Sequence, residues 1–220
     1  LKLEVFKVTM EKTLLKSIRR KIMQKLVLSV TLVLCLIMLA GCSINDEIDS
    51  KKTSNNTFLL KEDGSIESAT VEDFDKTYYD NAELEAYVTE KINNYNTEKG
   101  SEAITKKSLE INEGRALLIL TYASIEDYNI FNEKDTVLLS AAQAKSGSVE
   151  LPQTFTAVKK GKATAAAAAL ENNKYEVLIV KEKLDVLLQG TIKYYTGGTL
   201  KDKHGIQTSD EESTVIIFKP

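Results

Sequence analysis

The feature that most constrains this chain is an uninterrupted apolar-rich run from Leu26 to Ala40. It is 15 residues long and follows the basic residues Lys16, Arg19, Arg20, Lys21 and Lys25. As a helix it would measure about 22 Å, short of the roughly 30 Å hydrocarbon core of a bilayer. Positive charges, an apolar core and then small residues form the order of a secretory signal rather than of a membrane span. The run therefore divides the chain into two objects of opposite charge. Residues 1–42 hold 8 basic and 2 acidic side chains, and the remaining 21 basic and 30 acidic ones, of 29 and 32 in all, fall in 43–220. An acidic body argues against nucleic acid, whose binding needs clustered Lys and Arg. It argues equally against electrostatic adhesion to anionic headgroups.

The run ends in Leu39-Ala40-Gly41-Cys42. This resembles the bacterial lipobox, Leu-(Ala/Ser)-(Gly/Ala)-Cys, at every position. The resemblance implies that a diacylglycerol is attached to the Cys42 sulfur and that a lipoprotein signal peptidase cuts between Gly41 and Cys42. A thiol suits that alkylation because it is nucleophilic yet neutral in an apolar leader. The other cysteine, Cys35, follows the bulky Leu32-Val33-Leu34 in mid-run and reads as apolar filler. Two acyl chains give stable anchoring where one is marginal. With Cys35 removed and Cys42 capped, no free thiol is expected in the processed chain. The chain opens on Leu, so Met10 or Met23 is the expected start; Arg19-Arg20 fits twin-arginine export only loosely, and the strongly apolar core favours the general secretory route.

Residues 42–57 are polar apart from Ile44 and Ile48, and are expected to form a lipidated cysteine with a flexible tether. The rest, 58–220, reads as a single extracytoplasmic domain. Asp63-Gly64 marks a first hairpin. Asp80 lies three residues before Glu83, a capping-box spacing, and Leu84, Tyr87, Val88, Ile92 and Tyr95 then fall on one face of a helix over 81–96. Glu113-Gly114 turns a second hairpin whose second strand, 116–123, is apolar enough to be covered on both faces. A short capped helix is expected over 124–131, strands in "DTVLLSAAQA" and "QTFTAVK", and a short helix over 162–170 from the propensity of Ala. "YEVLIVKEK" and "LDVLLQGTIKYYT" read as a third hairpin, Gly197-Gly198 as a turn and "TVIIFK" as a closing strand. The pattern predicts an α+β fold, a mostly antiparallel twisted sheet built from hairpins with two main helices.

Residues able to carry chemistry are few. His204, the one histidine, sits in a Lys-rich turn with no second histidine to share a metal. The adjacent pairs Glu72-Asp73 and Glu126-Asp127 do not face each other on a strand or helix and read as solvated. Tyr194 and Tyr195 are consecutive on a strand and must face opposite sides, one in the core and the other expected to serve cross-strand packing, with a binding-surface aromatic as the alternative. No cofactor, metal or catalytic residue is expected. The stretches 71–88, 126–132 and 175–195 resemble uncharacterised lipoproteins of Gram-positive bacteria, over less than half of the body. That resemblance implies a secreted α+β domain and no particular activity. The reading is a membrane protein held by a diacylglycerol anchor on the extracytoplasmic face, a non-enzymatic binding module for an envelope protein or a cell-wall partner. Its alternatives are an accessory subunit of a transporter or secretion complex, and a carboxylate-based hydrolase.

Overall fold

The computed structural model describes residues 46–220. The signal-peptide reading of 1–41 and the processing site at Gly41 and Cys42 lie outside them. Thirteen strands run in chain order: β1 (Thr57–Leu60), β2 (Ile66–Asp73), β3 (Ile104–Asn112), β4 (Arg115–Tyr122), β5 (Val137–Ser140), β6 (Thr154–Ala157), β7 (Ala163–Ala165), β8 (Glu176–Val180), β9 (Asp185–Leu188), β10 (Thr191–Thr196), β11 (Thr199–Leu200), β12 (Gly205–Gln207) and β13 (Thr214–Lys219). The helices among the described residues are α1 (Asn81–Lys99), α2 (Ile125–Asn132), α3 (Ala141–Lys145) and α4 (Ala166–Ala169). The class is α+β, and all strand pairs but one are antiparallel.

The strands form two sheets rather than the one that hairpin signals suggest. The first is ordered β11-β12-β9-β1-β2-β4-β3 and the second β5-β8-β13-β10-β6-β7. The first two hairpins form as their turns predict. Glu113 and Gly114 both take positive φ, 53° and 75°, as a tight two-residue hairpin turn requires. The third does not form: β8 pairs with β5 and β13 in the second sheet, while β9 runs parallel to β1 in the first. The chain changes sheet between them and changes back at Gly190, where a Cβ would lie 2.5 Å from the Lys219 carbonyl oxygen. Alternation identifies strands but not their partners.

Between the sheets lies the main core. Phe58, Leu60, Ile66, Leu120, Tyr122, Val186 and Leu188 of the first sheet meet Leu178, Val180, Ile192, Ile216 and Phe218 of the second. The opposite residues of β8 and β13, Val177, Ile179, Val215 and Ile217, pack with Ala141, Ala144, Ala169 and Leu170 of α3 and α4 and their flanks. Two of the helices differ from expectation. The serine of "LLSAAQA" caps α3 through a capping box with Gln143, so only the first half of that stretch is strand. In the alanine run, Ala163–Ala165 pairs with β6 and the helix shrinks to Ala166–Ala169. A ladder partner outweighs a propensity that cannot offset the cost of nucleating so short a helix.

The outer face of the first sheet is closed by the stretch expected to be a free tether. From Asp46 the chain runs along this face to Asn56, and Ile48 packs with Leu59, Ala69, Leu117 and Ile119. The Arg115 guanidinium donates to the Thr53 carbonyl, and the Asn56 side-chain oxygen accepts from the Val71 N–H. The fold therefore begins by residue 46, and the expected boundary at 58 moves back accordingly. Burial of Ile48 and these polar contacts together hold the segment, and a stretch with one useful isoleucine does not look foldable until the sheet it covers is known.

Candidate functional site

α1 and α2 lie over the inner-face side chains of β4 and leave a groove between them. α1 is well terminated. Asp80 accepts from the Ala82 and Glu83 N–H groups, and Gly100, at φ 71°, closes the helix with the Gly100 N–H to Thr97 O and the Ser101 N–H to Asn96 O. Asn96 then ties helix to sheet, its amide donating to and its oxygen accepting from the backbone of Ile104. Val88 and Ile92 go into the core, and Tyr87, Lys91, Asn94 and Glu98 fall on an adjoining stripe that lines the groove. Leu118 and Leu120 make the floor; Phe131, Ile130 and Glu133 come from α2 and its end. The cavity volume is about 540 Å³. Tyr87 and Ile130 at its mouth are 59% and 57% exposed, large apolar surface, with the Lys91 ammonium 5.6 Å from the centroid of the Tyr87 ring.

A buried carboxylate fixes the spacing of the two helices. Asp127 is 3% exposed and accepts from Tyr95 Oη at 2.9 Å, Lys99 Nζ at 3.0 Å and Ser124 Oγ at 2.6 Å. Burial alone would raise its carboxyl, but these donors outweigh it and hold the group below the usual carboxylate range. Tyr95 is pushed up by burial and by the same carboxylate. Behind α2, Tyr128 donates to Glu182, which also pairs with Lys134 at 2.8 Å. Burial, then the Glu182 charge, drives the Tyr128 phenol far up.

A second cavity, of about 250 Å³, brings Glu62, Asp63 and Glu176 together with the C-terminal Pro220. Asp63 already accepts from the N–H and hydroxyl of Ser65. Glu176 is pushed up by burial with no compensating donor.

The residues picked out in the sequence are placed differently from one another. Cys42 and Gly41 lie outside the described residues. His204 is not a free turn residue: its Nδ1 donates to the Gly190 carbonyl at 2.7 Å, which helps hold the corner between the sheets. Glu72 and Asp73 are exposed at the end of β2, whereas the Glu126-Asp127 pair is split and Asp127 is buried, a correction to the solvated reading. The hint was the Ser124-x-x-Asp127 spacing, which marks a cap but not its burial. Tyr194 and Tyr195 take opposite faces as alternation requires, and both are packed, Tyr194 with Tyr175 and Tyr195 against the main core. A bulge at Lys193 puts Tyr195, rather than Tyr194, on the same side as Ile192. The exposed aromatics are instead Tyr78, Tyr79 and Tyr87. Among the described residues no cluster of His, Cys, Asp and Glu is arranged to hold a metal, and no helix is long and apolar enough to cross a membrane.

No protein-family profile matches the chain, and neither the curated proteins nor the solved structures contain a match to it.

Proposed function

We propose that this chain is an envelope lipoprotein, anchored by diacylglycerol on Cys42 and carrying a non-enzymatic binding module on the extracytoplasmic face. The observation that carries the reading is the Leu39-Ala40-Gly41-Cys42 motif ending an apolar run too short to span a bilayer. Such an anchor would hold the fold close. Asp46 is four residues past Cys42, and extended chain covers at most about 3.6 Å per residue, so the body is held within roughly 14 Å of its anchor. The partner reading rests on the groove: an aliphatic floor, a charged rim and two exposed apolar side chains suit an amphipathic segment of an envelope protein or cell-wall component.

Labelled palmitate tests the anchor. Incorporation should be lost in Cys42→Ala and kept in Cys35→Ala, with the Cys42→Ala chain released from the membrane fraction. Label that persists without Cys42, or that disappears only without Cys35, overturns the reading.

A further inference from the structure

The two ends of the first sheet differ. Asp46 lies at one, where its carboxylate is 3.4 Å from the Gln189 side-chain nitrogen, beside Leu60 and Leu188. β2 starts at that end, Ile66 being paired with Leu60, and runs eight residues to Asp73. At about 3.3 Å per residue the far end is some 25 Å away. There the β2–α1 loop displays Phe74, Tyr78 and Tyr79.

This loop is built and not merely exposed. The Phe74 N–H donates to Gly114 O at 2.6 Å, and the Tyr79 N–H to Lys76 O at 3.1 Å. The Phe74 and Tyr79 rings stack at 4.7 Å, and Tyr78 stands at 75° to Tyr79 with centroids 5.0 Å apart. Tyr78 is nonetheless 75% exposed. Around the rings stand the exposed carboxylates of Glu72, Asp73, Asp75, Asp80 and Glu113; Lys76, the one cation in 72–80, pairs with Asp75 at 3.1 Å, and Arg115, opposite Asp73 across the strands, donates to the Thr53 carbonyl, so the carboxylates outnumber the cations. Asp75 sits against Gly114, which brings the Glu113 turn to the loop. Open π faces inside a negative field attract cations twice over, by the ring quadrupole and by charge. The same field disfavours an anionic bilayer, and a neutral sugar would gain nothing from it.

We infer that this aromatic, acidic tip is a docking surface for a lysine- or arginine-bearing segment of a partner protein. Its rings are held in place before contact, so little ordering cost is added on binding. That the tip points away from the membrane rests on the anchor reading; the binding surface itself does not.

The test is calorimetric titration of the detergent-solubilised full chain with a short arginine–glycine peptide and with its citrulline counterpart. The arginine peptide should bind and the citrulline peptide should not. Tyr78→Ala should weaken binding about three- to tenfold, with Tyr78→Phe close to wild type, since the ring face is kept. Asp75→Asn should weaken it and flatten its salt dependence. Equal binding of both peptides, an unaffected Tyr78→Ala, or tighter binding of N-acetylglucosamine oligomers than of the peptide overturns the inference. Because the titration is independent of Cys42, palmitate labelling distinguishes a failed anchor from a failed tip.

Discussion

The main-chain N–H of Ile48 donates to Oε1 of Glu67 at 2.8 Å, on a glutamate with no exposed surface. The same oxygen accepts from Lys107 Nζ at 3.0 Å, and Lys61 Nζ lies 3.1 Å from Oε2 without the alignment of a hydrogen bond. Lys107 is the extra residue of a bulge in β3, and it also pairs with Glu47 at 2.8 Å. A charge buried on the outer face of a sheet is thus neutralised by two lysines and covered by the segment that leads from the proposed anchor. Glu67→Ala should cost about 2 kcal/mol, below the usual range for a broken buried pair because both lysines can turn to water. Ile48→Ala should cost about as much, through the cavity it leaves. Urea unfolding measures both, and the double variant should fall short of additivity because the two sites share one contact.

Asp127 should behave as a structural carboxylate. Asp127→Ala leaves the hydroxyls of Tyr95 and Ser124 without their acceptor and Lys99 without its ion-pair partner, while the Ser124 cap on the backbone N–H of residue 127 stays, at a cost of about 1–3 kcal/mol. Its carboxyl is held below the ordinary value, so its stabilisation is complete above that value and is lost as pH falls through the folded one. The variant should therefore be less acid-sensitive than wild type below about pH 4. The check is thermal unfolding measured as a function of pH.

Glu176 carries the opposite sign. Burial raises its carboxyl, so the folded state prefers the neutral form, and this group makes the protein less stable as pH rises from the unfolded value through the folded one. Glu176→Gln should raise the melting temperature at neutral pH and change it little in acid. A melting temperature lowered at neutral pH would show that the charge is compensated.

The groove mouth should prove dispensable to folding. Ile130→Ser should alter stability by no more than about 0.5 kcal/mol, as expected of an exposed site. Phe131→Ala, one residue on, loses edge contacts with Tyr95 and Tyr122 and should cost about 2–3 kcal/mol. Denaturant midpoints of the two variants decide this.

Local chemistry settled much in the sequence alone. The class, the first two hairpins, the caps of α1 and α2 and the closing strand follow from alternation, turn residues and cap spacing, all set within a few residues of one another. The Leu39-Ala40-Gly41-Cys42 motif on which the proposed anchor rests, and its charge context, are likewise contiguous. What only the tertiary structure decided involves partners distant in sequence. β8 and β9 look like a hairpin but belong to different sheets: β8 finds its ladder on β13 and β9 on β1, strands distant from them in sequence. The alanine run becomes half strand because β6 lies beside it. Residues 46–56 fold because the outer face of the first sheet needs a cover, and Asp127 is buried because α1 brings Tyr95 and Lys99 to it. The groove has the same origin: Tyr87, Leu118 and Ile130 carry no joint signal along the chain, and the packing of two helices on one strand puts them around one cavity.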